Sequence, residues 1–118
     1  MADVSKLLKK ITHACDQKKA TRIVSYHVEG ISALTDYILV VSVNNKVHCH
    51  AILREVEDVV SKEKKTADFY KPRVSGDTDS GWIVMDINSI IVHVMTEDMR
   101  EFYNLDALLE KRAVVYHY

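Results

Sequence analysis

The strongest hydrophobic patterning in the chain lies between Asp77 and Leu109. Two short β-rich runs, Trp82–Met85 and Ile90–Met95, flank Asp86-Ile87-Asn88-Ser89, a segment of turn-forming residues. Asparagine and aspartate bond their own backbone and tolerate left-handed geometry, so the stretch predicts a β-hairpin. Thr96-Glu97-Asp98-Met99 follows at once, a hydroxyl at the N-cap position with acids in the first turn, which predicts a helix start. Helical pieces are expected over Met99–Tyr103 and Leu105–Leu109, with Asn104-Leu105-Asp106 as a break and new cap.

Upstream, Val4, Leu7, Leu8, Ile11, Ala14 and Cys15 recur at helical spacing and predict an amphipathic helix with one buried stripe. Arg22–Val28 alternates Ile23, Ser25 and His27 with Val24, Tyr26 and Val28, as a strand does. Gly30 permits a bend, and Ile31–Thr35 reads as a connector. Asp36–Val43 is almost wholly apolar and β-branched, the mark of a strand covered on both faces. Asn44-Asn45 is a capping pair for a long amphipathic helix through Val47, Ala51, Ile52, Val56, Val59 and Val60, with Lys62–Lys65 as its charged end. Thr66–Gly81 reads as a long connection with one irregular strand around Tyr70–Val74. Lys111–Tyr118 has three readings: a helix extension, a segment packed back on the fold, or a frayed end. The order helix, strand, strand, helix, strand, strand, helix gives an α/β fold, a mixed sheet with flanking helices, and 118 residues suit one domain with one core.

Charge narrows the function. A net charge of -1 gives no reason to expect nonspecific binding to DNA or a membrane surface, although a local basic patch could still touch RNA. The start, MADVSKLLKKI, lacks the apolar run of a signal peptide, and no stretch is long enough for a membrane span. Cys15 and Cys49 are therefore expected to be reduced thiols in a cytosol-like compartment. His48-Cys49-His50 invites a metal reading, but neighbours on a helix point to different sides, so the expectation is two solvated histidines around a partly buried cysteine. Glycine-rich phosphate motifs and a nucleophile elbow are missing. Two-metal chemistry wants converging carboxylates, yet the residue two beyond Asp86 is Asn88. No cofactor is expected. The enzymatic alternative, a residual nucleotidyltransferase or nucleotide-binding domain using Asp36 or Asp86, lacks its second acid. The hairpin offers Trp82 and His93 with hardly a cation nearby, which disfavours a single-strand RNA binder and favours a basic protein partner.

Four strings carry a family resemblance: GISALTDY (Gly30–Tyr37), DSGWIVMD (Asp79–Asp86), VHVM (Val92–Met95) and REFYNL (Arg100–Leu105). Their residues, order and spacing closely resemble the ribosomal silencing factor (RsfS, Iojap-like) family over about 4–109, leaving 110–118 as an extension. The chain departs from the family at Val43-Asn44-Asn45, where a Gly-Thr-Ser-like turn is usual. It departs again at Ile87-Asn88-Ser89, which stands where Tyr-Gly-Asp is common. The resemblance implies a fold related to nucleotidyltransferases but without catalytic acids, and a non-enzymatic role in the bacterial cytoplasm or an organelle. It implies binding to the large ribosomal subunit through its fourteenth protein, steric block of subunit joining, and repression of translation when nutrients are scarce. The partner-binding residues it points to are Trp82, Asp86, Asp36, Tyr37, Asp79, Ser80 and His93. Trp82 is the leading anchor, with a core tryptophan as its alternative. The aspartates have turn and cap duty as theirs, and His93 that of a satisfied core histidine. Tyr103 and Asn104 are read as closing the last helix on the sheet. The apolar stripe of the first helix is a candidate for homodimer formation by the free protein.

Overall fold

The computed structural model of the chain describes residues 4–28, 30, 35–63, 73–111 and 114–117. Helix α1 (Val4–Gln17) leads into antiparallel strands β1 (Thr21–His27) and β2 (Tyr37–Val43), then α2 (Lys46–Ser61). Strand β3 (Arg73–Asp77) and a 3-10 turn (Thr78–Ser80) precede β4 (Trp82–Asp86) and β5 (Ile90–Thr96). Helices α3 (Glu97–Tyr103) and α4 (Leu105–Glu110) and strand β6 (Val114–His117) complete the chain. The six strands form one mixed sheet in the order β3-β4-β5-β2-β1-β6, with β2 and β5 parallel at its centre. No helix among the described residues is long and apolar enough to cross a membrane.

The pleat sorts the side chains between two layers. Leu39, Val41 and Val43 of β2, with Met85, Val92 and Val94 of the hairpin, face α1 and α2 and make the main core. Each such side chain removed from water contributes on the order of 1.5–3 kcal/mol. The opposite face gathers a smaller cluster, Val24, Tyr26, Val28, Val40 and Met95, against Met99, Leu105 and Leu109 of α3 and α4. The apolar run in β2 thus reflects cover on both faces, as its composition predicts. The stripe of α1 is consumed in the main core, Ile11 and Cys15 being fully buried, and offers no apolar face to a second copy.

Local expectations fare unevenly. Asn45 caps α2, its Oδ1 accepting the His48 N–H at 2.8 Å. Asn88 adopts φ 70° in the hairpin turn and Asp86 Oδ1 accepts its N–H at 2.9 Å, so the Asp86-to-Ser89 turn forms as its composition predicts. Thr96 stands at the N-cap of α3 but makes no side-chain capping bond. His48 is not simply solvated: Asn44 N–H donates to its Nδ1 at 3.0 Å, and its Nε2 lies 2.7 Å from the Lys18 carbonyl, linking the ends of α1 and α2. Cys49 is fully buried rather than partly so. The irregular strand expected at Tyr70–Val74 is observed as β3 over Arg73–Asp77, while the Ile31–Leu34 connector and the stretch from 64 to 72 lie outside the described residues. The tail takes the packed-back reading, β6 pairing antiparallel with β1.

One polar network fastens the second layer to the sheet. Arg100 of α3 is 2% exposed. Its Nε and Nη2 donate to the two carboxylate oxygens of Asp106 in α4, both at 2.9 Å. Its Nη1 donates to the Arg22 carbonyl at 2.6 Å and to Ser42 Oγ at 2.9 Å. Tyr26 of β1 donates its hydroxyl to Asp106 Oδ1 at 2.5 Å. Burial pushes the Asp106 pKa up, but the hydrogen bonds from Arg100 and Tyr26 outweigh it and hold the carboxyl below its ordinary range. Asn104 (φ 49°) turns the chain between α3 and α4 so that the two charges meet. Removing one partner strands a buried charge, so Asp106→Ala should lower stability by about 3–5 kcal/mol in urea melts. Because the folded pKa is depressed, the wild-type contribution is present above about pH 4 and lost on further acidification; the variant should lack that acid limb.

Candidate partner-binding face

Helices α3 and α4 are short, and they cover only part of the second sheet face. Cross-strand pairing sets Trp82 opposite Met95, Val84 opposite His93 and Asp86 opposite Ile91. The parallel register then places Ile38 and Val40 of β2 beside Ile91 and His93. Val40 and Met95 lie under the helices, whereas Ile38, Val84, Asp86, Ile91 and His93 are only half-buried. That leaves a largely apolar strip of sheet carrying one carboxylate.

An aromatic row borders the strip. Trp82 Nε1–H donates to His93 Nδ1 at 3.0 Å, which assigns the ring proton of neutral His93 to Nε2. Tyr103 of α3 packs on the Trp82 ring at 4.8 Å between centroids, and Phe102 meets Tyr103 edge-on at 5.0 Å. Phe102 is 78% exposed and Tyr103 50%. Behind them Gly76 (φ +79°) lets β3 approach β4, since a Cβ there would lie 2.4 Å from the Trp82 carbonyl oxygen. The indole is thus held by a histidine hydrogen bond and a tyrosine ring contact and is only partly buried.

The structure brings Trp82, His93 and Asp86 onto one face and separates the other candidates from them. Asp36 and Tyr37 stand where β2 begins, at the Asp86 end of the sheet, and the Tyr37 ring packs on the main-core face, stacked on His27 at 4.7 Å. Asp79 and Ser80 belong to the 3-10 turn at the other end. Ser80 is engaged in the turn, its Oγ donating to the Asp77 carbonyl at 2.8 Å, and Asp79 projects into solvent 3.9 Å from Lys46. Tyr103, read from sequence as structural, is a member of the exposed row, and Phe102 extends it. Helical periodicity could have flagged Phe102, which lies opposite Arg100 on α3, but not Tyr103, which follows Met99 and Arg100 at four and three residues and so falls on their side. Asn104 keeps the structural role expected of it. Among the described residues no group of three His, Cys, Asp or Glu could hold a metal ion.

Burial pushes the His93 pKa down to about 4, with a weaker upward pull from Asp106. An imidazole in the unfolded chain titrates near 6.5, so between about pH 6.5 and 4 the unfolded state takes up a proton that the folded state refuses. Stability should therefore fall through that window as pH drops. His93→Gln should flatten the fall in denaturant melts across a pH series; an unchanged slope would show that His93 titrates normally.

Comparison with known proteins places the chain in a family. The family model described as "Ribosomal silencing factor during starvation" matches residues 1–116. The ribosomal silencing factor RsfS of Bacillus subtilis is 32% identical over 102 residues, covering 86% of this chain and 83% of that protein. The mouse protein named "Mitochondrial assembly of ribosomal large subunit protein 1" is 27% identical over 97 residues, covering 82% of this chain and 42% of its own length. A crystal structure of a Bacillus halodurans protein superposes with a TM-score of 0.74 at 30% identity, covering 88% of this chain and 93% of that one. A second, from Chromobacterium violaceum, reaches 0.80 at 19% identity over 92% and 88% of the respective chains, and shares the fold. A model match along nearly the whole chain, joined by these relatives, shows that the chain belongs to the ribosomal silencing factor family.

Proposed function

We propose that the chain represses translation by seating the open strip around Trp82 on a basic protein of the large ribosomal subunit, the fourteenth, so that the small subunit cannot join. The observation that carries this reading is the Trp82–Tyr103–Phe102 row beside half-buried Ile38, Val84 and Ile91. Interfaces concentrate energy in aromatic anchors held rigid by neighbours and set among apolar contacts. The His93 hydrogen bond and the Tyr103 contact lower the entropy lost when Trp82 is fixed in a complex.

Charge supports a basic partner. The segment Arg73–Lys111, which supplies most of this face, holds eight acids against three bases. Asp86 stands on the strip itself, and complementary charge speeds encounter with a cationic surface. The silencing is steric in this reading: no bond is made or broken, and repression depends on concentration relative to affinity. The action is cytoplasmic, and the fold is a nucleotidyltransferase relative that keeps a surface instead of a catalytic centre.

Trp82→Ala should weaken binding to isolated large subunits by on the order of 2 kcal/mol, about 30-fold in Kd. Tyr103→Ala, at a more exposed position, should weaken it without touching the sheet; unchanged affinity in both folded variants would remove the aromatic row from the interface. Asp86→Asn keeps the acceptor that Asn88 uses and deletes only the charge. It should slow association and lessen its salt dependence, and identical rates across a salt series would contradict a basic partner.

A further inference from the structure

Helix α1 is cationic, a property the net charge of the chain conceals; its layer partner α2 holds Lys46 and Arg54 against Glu55, Glu57 and Asp58. Val4–Lys19 holds five lysines (Lys6, Lys9, Lys10, Lys18 and Lys19) and one acid, Asp16. Helix α1 lies on the main-core side of the sheet, whereas α3 and α4 lie on the other side with the acidic segment. Lys6, Lys9, Lys10 and His13 fall on the exposed arc of α1, spaced three and four residues apart. They form a stripe about 10 Å long. Lys10 also pairs with Glu63, and Lys18 lies 3.8 Å from Glu55. Such exposed pairs hold their side chains only weakly, so their lysines can turn to a better anion at little cost.

We infer that the outer face of α1 is a second contact surface, for the phosphate backbone of large-subunit RNA. This rests on the ribosomal reading above for the source of the RNA; the charge complementarity comes from α1 itself. Lysines on a rigid helix suit sequence-independent phosphate contact, since each ammonium is a point charge on a flexible stem that displaces a counterion. Because the stripe and the aromatic row lie on opposite layers, both can be occupied at once. The acidic α3–α4 side would meet a cationic protein and the outer face of α1 a polyanion. The outer face of α1 is the kind of local basic patch that a near-zero net charge leaves open.

The test uses the full-length protein and protein-free RNA extracted from large subunits, with binding followed from about 50 to 200 mM salt. Wild type should bind with a log–log salt slope near -2, as expected for about two or three phosphate contacts. Lys6→Glu/Lys9→Glu should bind at least tenfold more weakly with a shallower slope, and the neutralising pair Lys6→Gln/Lys9→Gln should lie between. Lys46→Glu, an exposed lysine off the stripe, should bind as wild type does. Thermal melting of each variant separates loss of contact from loss of fold. No binding by wild type, or equal affinity and slope for wild type and the α1 variants, overturns the inference, as does an equal loss in Lys46→Glu. Trp82→Ala separates the two readings: it should leave RNA binding unchanged while weakening binding to intact subunits.

Discussion

The fold's second layer depends on a buried guanidinium. Helices α3 and α4 span seven and six residues, too short to persist alone, and they present few apolar side chains to the sheet. Arg100 compensates by reaching the Arg22 carbonyl, Ser42 and both oxygens of Asp106 at once. A charge so deeply buried is tolerable only when its donors are matched in geometry and a counter-charge is fixed nearby. Tyr26 fixes that counter-charge from β1, and Asn104 supplies the left-handed turn that brings α4 back beneath α3. Sequence positions far apart are thereby locked into one arrangement.

The surface proposed for binding follows from that lock. Short helices held at one end of the sheet cover Met95 and Val40 and stop before Ile38, Val84 and Ile91. The same α3 that carries Arg100 inward carries Phe102 and Tyr103 outward, and Tyr103 meets Trp82 on the neighbouring strand. Trp82, the proposed anchor, is thus positioned by the layer that leaves it accessible. On the other side of the sheet, α1 and α2 close the main core completely and leave α1 only its polar arc, which is cationic. A chain of nearly balanced charge thus carries a cationic α1 on one side and acidic α3 and α4 on the other.

How much of this is legible in the residues depends on the range of the interaction. Periodicity and capping chemistry are local, and they locate α1, α2, the hairpin and the double cover of β2 correctly. Trp82, Asp86 and His93 share a face because alternation along two strands joined by a tight turn is also a local rule. Tyr37 and Ser80 show the limit. Both lie in strings that match the family, yet one is stacked on His27 in the opposite layer and the other serves the 3-10 turn. A linear motif does not say on which side its residues emerge. Arg100–Asp106 and the pairing of β6 with β1 were unreadable for the same reason, since both require the closed sheet to exist first. His48 looked solvated because its acceptor is a backbone carbonyl 30 positions away.

In the proposed function, occupation of one surface, without chemistry, keeps the ribosomal subunits apart. Its most direct test is sedimentation of purified large subunits preincubated with the protein, followed by addition of small subunits. The account predicts that the protein travels with the large subunit and that joined ribosomes fail to form in proportion to its occupancy. Joined ribosomes forming normally at saturating occupancy would contradict it.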